Sequence, residues 1–360
     1  MSKPFRRNIR TLCFFGFSLV LGTSGYSQTN SPGLTMPAYG NLPVQEGYFS
    51  GADNAQLFYR IVGNGSRTIV FVHGGPGLGI DDGGYDLEAI AAKGFRFIMY
   101  NQRGGGRSEL VTDKSKLGID YYVRDHEELR QHFSLRKMNL IGLSWGSGVV
   151  AYYAAAYPKN INRIVFLSPM PPTEEFSKER NQKIRSLIDV KTLAEINEIH
   201  TRSKTASDAD LPKVCRQLNA YLDRLYVADP SNLVRARGAT SSYPPQAIKG
   251  SETTTGSAVK SLGHWNFQSM LKQIGVPALV IEGERTNVPL DATEAWARWL
   301  PNAQLLLIPN AGHMNWLDQP EVVISSINEF FRGRQIRTAR QLRGSLNANG
   351  RVNYFPSKCS

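Results

Sequence analysis

Cysteine is scarce in this chain: Cys13, Cys215 and Cys359 are the only three in 360 residues. That is too few for a disulfide scaffold, and their spacing fits no zinc site. Long apolar runs are missing too. None reaches the ~18 residues of a membrane-spanning helix. No internal repeat is visible. Acidic residues are absent from both ends. Residues 1–10 carry Lys3, Arg6, Arg7 and Arg10, and residues 332–360 carry Arg332, Arg334, Arg337, Arg340, Arg343, Arg351 and Lys358, with no acid in either stretch. These account for eleven of the twelve net positive charges. The chain between them is close to neutral, so a basic nucleic-acid face is not indicated. What remains is ordinary: 41% hydrophobic and 20% charged residues, the composition of a globular protein rather than a disordered or collagen-like one.

Each basic end has its own reading. Lys3 to Arg10 precede the apolar run Thr11 to Gly22, and Gly25 and Ser27 then stand two apart. Positive, apolar and small-residue segments in that order form a secretory signal peptide, with cleavage expected after Ser27 and an exported product. The alternative is an N-terminal membrane anchor, for which the run is short. Export would remove Cys13; the spacing of Cys215 and Cys359 does not decide whether they pair. Arginines 334, 337, 340 and 343 form a helix-like stripe able to touch an anionic surface. A solvated terminus is the plainer reading.

Residues 28–45 are rich in Ser, Pro, Gly and Asn and read as a linker. Tyr48–Ser50 and Gln56–Val62 flank the turn-rich Gly51–Asn54, which predicts an antiparallel hairpin. Short apolar runs then alternate with helical stretches: strands at Thr68–Val72, Phe95–Tyr100, Met138–Leu143 and Arg163–Leu167, helices at Asp120–Phe133 and Ser147–Tyr157. Buried strands alternating with helices predict a parallel sheet covered on both faces. From Pro169 the pattern turns helical, as in Glu175–Ile188 and Leu211–Val227, until strands return at Val276–Glu282 and Leu305–Ile308, followed by a helix at Pro320–Phe331. The expected organisation is an α/β core over 46–168 and 275–331, a helical cap over 169–274, and a basic tail over 332–360.

The informative stretch is Leu140–Gly146, which places Gly142-x-Ser144-x-Gly146 between a strand and a helix. A serine there sits on a strained turn with its hydroxyl raised above the sheet, the context a nucleophile elbow requires. Serine alone is a weak nucleophile and needs a base. Of the six histidines, His73 opens a glycine run and suggests a backbone role. His126 and His132 lie on a helix, and His200 and His264 lie in or beside the helical insertion. His313 follows the last strand in the loop Pro309–His313, where Ala311-Gly312 frees the backbone to present the ring. It is the expected general base. The glycine-rich His73–Gly77 ends a strand and aims backbone N–H groups at a substrate carbonyl. The second N–H is expected from Trp145.

His73–Gly77, Asn101–Ser108 and Gly142–Ser147 together resemble the proline iminopeptidase family of α/β-hydrolases, over roughly residues 46–331. The resemblance implies the α/β-hydrolase fold with a helical cap and hydrolysis of an amide or ester without a cofactor or metal. It also implies an oxyanion hole at Gly75 and Trp145, and a small-molecule or short-peptide substrate. It leaves the oligomeric state open.

The chain departs from the family pattern in three places. Asn101 replaces an aspartate. Thr286 stands where the triad aspartate is expected, so the acid must be displaced; Glu284 is preferred, with Asp291 as the alternative and a helix cap as its other role. Glu282 is expected to point into or along its strand. Finally, the family holds the substrate amine with acidic cap residues beside a Trp-rich motif, whereas this insertion has no Trp before Trp265. Glu174, Glu175 and Glu179 are candidates by position only. The expected activity is an exported aminopeptidase that releases N-terminal proline or a small apolar residue through an acyl-enzyme. The alternatives are a carboxylesterase or amidase on small acyl groups, and a hydrolase-fold binding protein with little turnover.

Overall fold

The computed structural model describes residues 38–238 and 243–340. The expected signal peptide and the last twenty residues of the basic tail lie outside them. Eight strands form one sheet in the order β1-β2-β4-β3-β5-β6-β7-β8. They are β1 (Val44–Ser50), β2 (Gln56–Val62), β3 (Arg67–Val72), β4 (Phe95–Tyr100), β5 (Met138–Ser144), β6 (Ile161–Pro169), β7 (Ala278–Gly283) and β8 (Ala303–Ile308). β1 and β2 form the expected hairpin and β2 runs antiparallel to β4. All later neighbours are parallel. β1 starts two residues inside the stretch read as a linker, because Val44 pairs with Val62.

The helices are α1 (Gly84–Leu87), α2 (Ile119–His132), α3 (Trp145–Ala156), α4 (Glu174–Ser186), α5 (Val190–Thr205), α6 (Leu211–Leu222), α7 (Pro245–Ser261), α8 (Gln268–Leu271), α9 (Leu290–Trp299), α10 (Asn315–Asp318) and α11 (Pro320–Phe331). The alternation of side chains along the strands feeds two cores. Val70, Leu140 and Val280 face one side and pack with Val149 and Val150 of α3. Phe71, Ile141 and Ile281 face the other and pack with Val323 and Ile327 of α11. Burial on both faces is why these strands read as continuous apolar runs.

Helices α4 to α8 stand between β6 and β7. α7 is invisible to pattern reading: its Gly250, Gly256 and three consecutive threonines are poor helix formers. Tertiary bonds override that propensity, since Thr254 donates to Gly104 O (3.1 Å) and Thr255 donates to Pro76 O. At the far edge, Arg340 pairs antiparallel with Leu305 of β8 through two backbone hydrogen bonds of 2.7 and 2.8 Å.

Candidate active site

Ser144 is the last residue of β5 and Trp145 the first of α3. The junction holds Ser144 at φ 48° and ψ −115°, a backbone that costs a non-glycine residue on the order of 1–3 kcal/mol. Glycines make the turn possible. A Cβ on Gly146 would lie 2.1 Å from the Val72 carbonyl oxygen, and one on Gly142 would lie 2.7 Å from Gly146 O. The strained carbonyl of Ser144 accepts from Ser147 Oγ (2.5 Å) and from the Met170 N–H (3.2 Å).

The glycine loop after β3 passes directly beside this serine. A Cβ on Gly74 would stand 3.3 Å from Ser144 Cβ, and Gly75 has φ +38°. His73 locks the loop from behind. Its Nδ1 bonds Gly74 O at 2.7 Å, and its Nε2 accepts from the Gln102 N–H at 3.0 Å. That pairing assigns the proton to Nδ1, and burial pushes the ring pKa down to about 4, so it is neutral. Gln102 in turn donates to His73 O and accepts from the Trp145 indole at 3.0 Å. His73 thus works through its ring as well as its backbone. Asn101, at the aspartate position of the family, accepts from the Ile80 N–H at 2.7 Å. It holds the end of the same loop without adding a buried charge.

His313 lies in the loop after β8, only 4% exposed. Gly283 sets its height above the sheet. A Cβ there would meet Ala311 O at 2.1 Å and Gly312 O at 2.2 Å, so the histidine loop crosses the end of β7 in direct backbone contact. The acid beneath it is Glu282. Its Oε2 is 3.6 Å from His313 Nδ1, its side chain is fully buried, and neither of these two atoms has a hydrogen-bond partner among the described residues. Glu282 Oε1 accepts from the Gly283 N–H at 3.0 Å. The sequence expectation is corrected here. Glu284 and Asp291 are both exposed and outside ion-pair distance of His313, because β7 continues to Gly283 and delivers Glu282 to the strand end. Glu284 follows the crossing point, with its N–H bonded to Ile308 O.

Two further contacts fix the loop. Ser168 Oγ donates to the His313 carbonyl at 2.6 Å and accepts from Asn315 Nδ2 at 2.7 Å. Asp318 Oδ2 accepts from both the Gly312 and the Ala228 N–H at 2.8 Å, and Oδ1 accepts from Asn232 Nδ2 at 2.8 Å. One carboxylate therefore ties the histidine loop to the segment that follows α6. Sequence reasoning overlooked Asp318; its position five residues after His313 carries no pattern.

Ser144, Trp145, Gly75 and His313 all line one cavity of about 840 Å³, closed on the other side by α4 to α7. Ser144 and His313 share its wall without a direct hydrogen bond, a looseness common before substrate tightens a site. The cavity is acidic near the serine. Asp82 lines it beside Gly74, with Asp223 from the turn after α6. Burial, then the repulsion of Asp223, Asp86 and Asp81, pushes the Asp82 carboxyl up to about 7. Burial pushes Asp223 up to about 6. Asp86 is already engaged by the Arg237 N–H and the Trp316 indole. Glu252 of α7 also lines the cavity, 2% exposed and with neither carboxylate oxygen bonded among the described residues. Glu174, Glu175 and Glu179, the positional candidates for amine binding, do not line it. Glu174 instead pairs with Lys178 and His264.

The comparisons agree with this architecture. The family model described as alpha/beta hydrolase fold matches residues 67–320. A proline iminopeptidase of Lactobacillus helveticus is 27% identical over 283 residues, covering 76% of this chain and 94% of that protein. A proline iminopeptidase of Clostridioides difficile is 28% identical over 301 residues, covering 80% and 98%. Among solved structures, an esterase from Exiguobacterium antarcticum superposes with a TM-score of 0.59 at 18% identity, covering 79% of this chain and 98% of that one, a likeness of fold alone. On its elbow, its sheet and these matches, the chain belongs to the α/β-hydrolase family.

Proposed function

We propose that the protein is a serine hydrolase of the aminopeptidase kind, releasing an N-terminal proline or small apolar residue from short peptides. The observation that carries it is the strained Ser144 sharing a cavity with a histidine whose Nδ1 faces a buried carboxylate. In this reading Ser144 Oγ attacks the scissile carbonyl and His313 Nε2 takes its proton. Glu282 accepts from Nδ1–H and stabilises the imidazolium. The N–H groups of Gly75 and Trp145 receive the oxyanion; the first amides of a helix lack intrahelical partners and are free to do so. His313 then gives its proton to the leaving amine. Water, deprotonated by the same imidazole, attacks the acyl carbon and returns Ser144.

The acids near the serine support the amino-terminal preference. Asp82 and Asp223 are desolvated carboxylates that a substrate ammonium would stabilise in the charged form. Export belongs to the same reading and rests on Lys3 to Ser27; N-terminal sequencing of the exported protein should begin near Gln28.

The test is a fluorogenic panel of prolyl, alanyl and leucyl amides, their N-acetylated forms, and short-chain esters, with Ser144→Ala as the control. Free-amine amides should be cleaved best. Ser144→Ala should lose about 10⁴–10⁶ in rate. Fast esters with inert amides would make the protein an esterase. No turnover, with Ser144 unlabelled by a fluorophosphonate, would make it a binding protein.

A further inference from the structure

The cavity carries a second acidic position, on α7. Glu252 sits on α7, whose Ser251 and Thr255 pack on Gly77 and Pro76 of the loop beside Ser144. The residue lines the cavity, and its buried carboxylate has no hydrogen-bond partner among the described residues. An unpaired buried carboxylate is costly to keep, and each one in a folded protein calls for an explanation. The nearby cations do not supply it. Lys249 is paired with Asp208, and Arg180 donates to the Tyr226 hydroxyl at 3.1 Å. Arg216 and Arg224 line the cavity but are exposed. Burial pushes this carboxyl up to about 7, against the pull of Lys204, which is exposed on α5.

Glu252 also stands on a different wall of the cavity from the acid beside the serine. Asp82 reaches the cavity beside Gly74 and Ser144, whereas Glu252 reaches it from α7. A ligand with a single ammonium therefore satisfies one position and leaves the other unpaired.

We propose that Glu252 is a specificity-determining residue that takes a second cationic group of the substrate, so that the preferred substrates are short peptides or amides bearing a basic side chain besides the α-amine. This rests on the aminopeptidase reading above. The cavity has the volume for it, since about 840 Å³ lies toward the upper end of the roughly 300–1,000 Å³ usual for small-molecule sites. A charge-assisted bond to a desolvated carboxylate is about twice as strong as a neutral one, and it forms only if the second cation reaches Glu252.

The experiment uses the full chain and pairs of substrates that differ by one charge: Pro-Lys against Pro-norleucine, and lysyl against norleucyl amides of one fluorophore. The first pair places the charge after the scissile bond and the second before it. In one of them kcat/KM should favour the cationic member by about 10-fold or more, and in Glu252→Gln that ratio should fall to near one. Equal rates in both pairs, or a ratio that survives in Glu252→Gln, would overturn the proposal. So would a variant that slows both members equally, because Glu252 would then read the α-amine. Should the variant not fold, competition on the unaltered protein decides: lysinamide should inhibit or protect Ser144 from a fluorophosphonate at about 10-fold lower concentration than norleucinamide, and equal potency would sink the idea. Protection by lysinamide without any peptide turnover would keep the cation site and discard the aminopeptidase reading.

Discussion

At the scale of single residues, the acid is the point of interest. A glutamate at the end of an apolar strand buried on both faces is an anomaly in itself, and Val280-Ile281-Glu282-Gly283 contains that signal. Pattern reading passes over it because a strand residue is expected to stay in the sheet. What moves Glu282 into the site is Gly283, the one residue type that lets the Ala311–Gly312 backbone cross the strand end at contact distance. Glu282→Gln should therefore lower kcat on a cleaved amide by about 10²–10⁴, since an amide can hold the wrong imidazole tautomer and cannot stabilise its charge. Glu284→Gln should change it little. The two variants assayed side by side settle the assignment, and a crippled Glu284→Gln with an active Glu282→Gln would reverse it. Ser144 and His313 were legible as candidates because their neighbours, the elbow glycines and Ala311-Gly312, follow local rules. Glu282, Asp82 and Glu252 were not, since their places in the site come from what the fold brings opposite them.

At the scale of elements, β4 and α11 have the bounds that the sequence predicts, Phe95–Tyr100 and Pro320–Phe331. Both are apolar segments with clear punctuation. α5 and α7 were hidden among polar residues whose helical state depends on packing. Between elements, Asp318 deserves a test, because it joins α10 to the Gly312 amide and to the Ala228–Asn232 segment. Asp318→Asn keeps one acceptor oxygen but turns an NH₂ group toward protein N–H donors. The variant should lose about 1–3 kcal/mol of stability. It should also lose about 10–100-fold in kcat, because a small shift of the base is enough to do so. Protease nicking near residues 228–232 should rise in parallel. Unchanged kcat in a variant with the expected loss of stability would show that the tie serves the fold alone.

At the scale of the whole molecule, the cavity makes stability depend on pH. Burial raises the folded Asp82 carboxyl from 3.8 to about 7. Between those values the folded chain holds a proton that the unfolded chain has released, so this group's contribution to stability falls as pH rises from about 4 to 7 and is flat beyond. Asp82→Asn removes that dependence. Its melting temperature relative to the unaltered protein should be higher at pH 8 than at pH 4 by up to about 10 °C, since about 3 pH units correspond to about 4 kcal/mol and a domain of this size shifts by about 2–4 °C per kcal/mol. Calorimetry at the two pH values checks it, and an equal difference at both would refute it. The opposite edge of the molecule carries a consequence for handling the protein. Arg340 occupies the outer rung of β8 at Leu305, where an unpaired strand edge would otherwise present bare amide and carbonyl groups. Shortening the chain to Phe331 does more than shed positive charge. It opens a seat for the sheet of a second molecule, and the trimmed protein should self-associate in sedimentation at concentrations where the full chain does not.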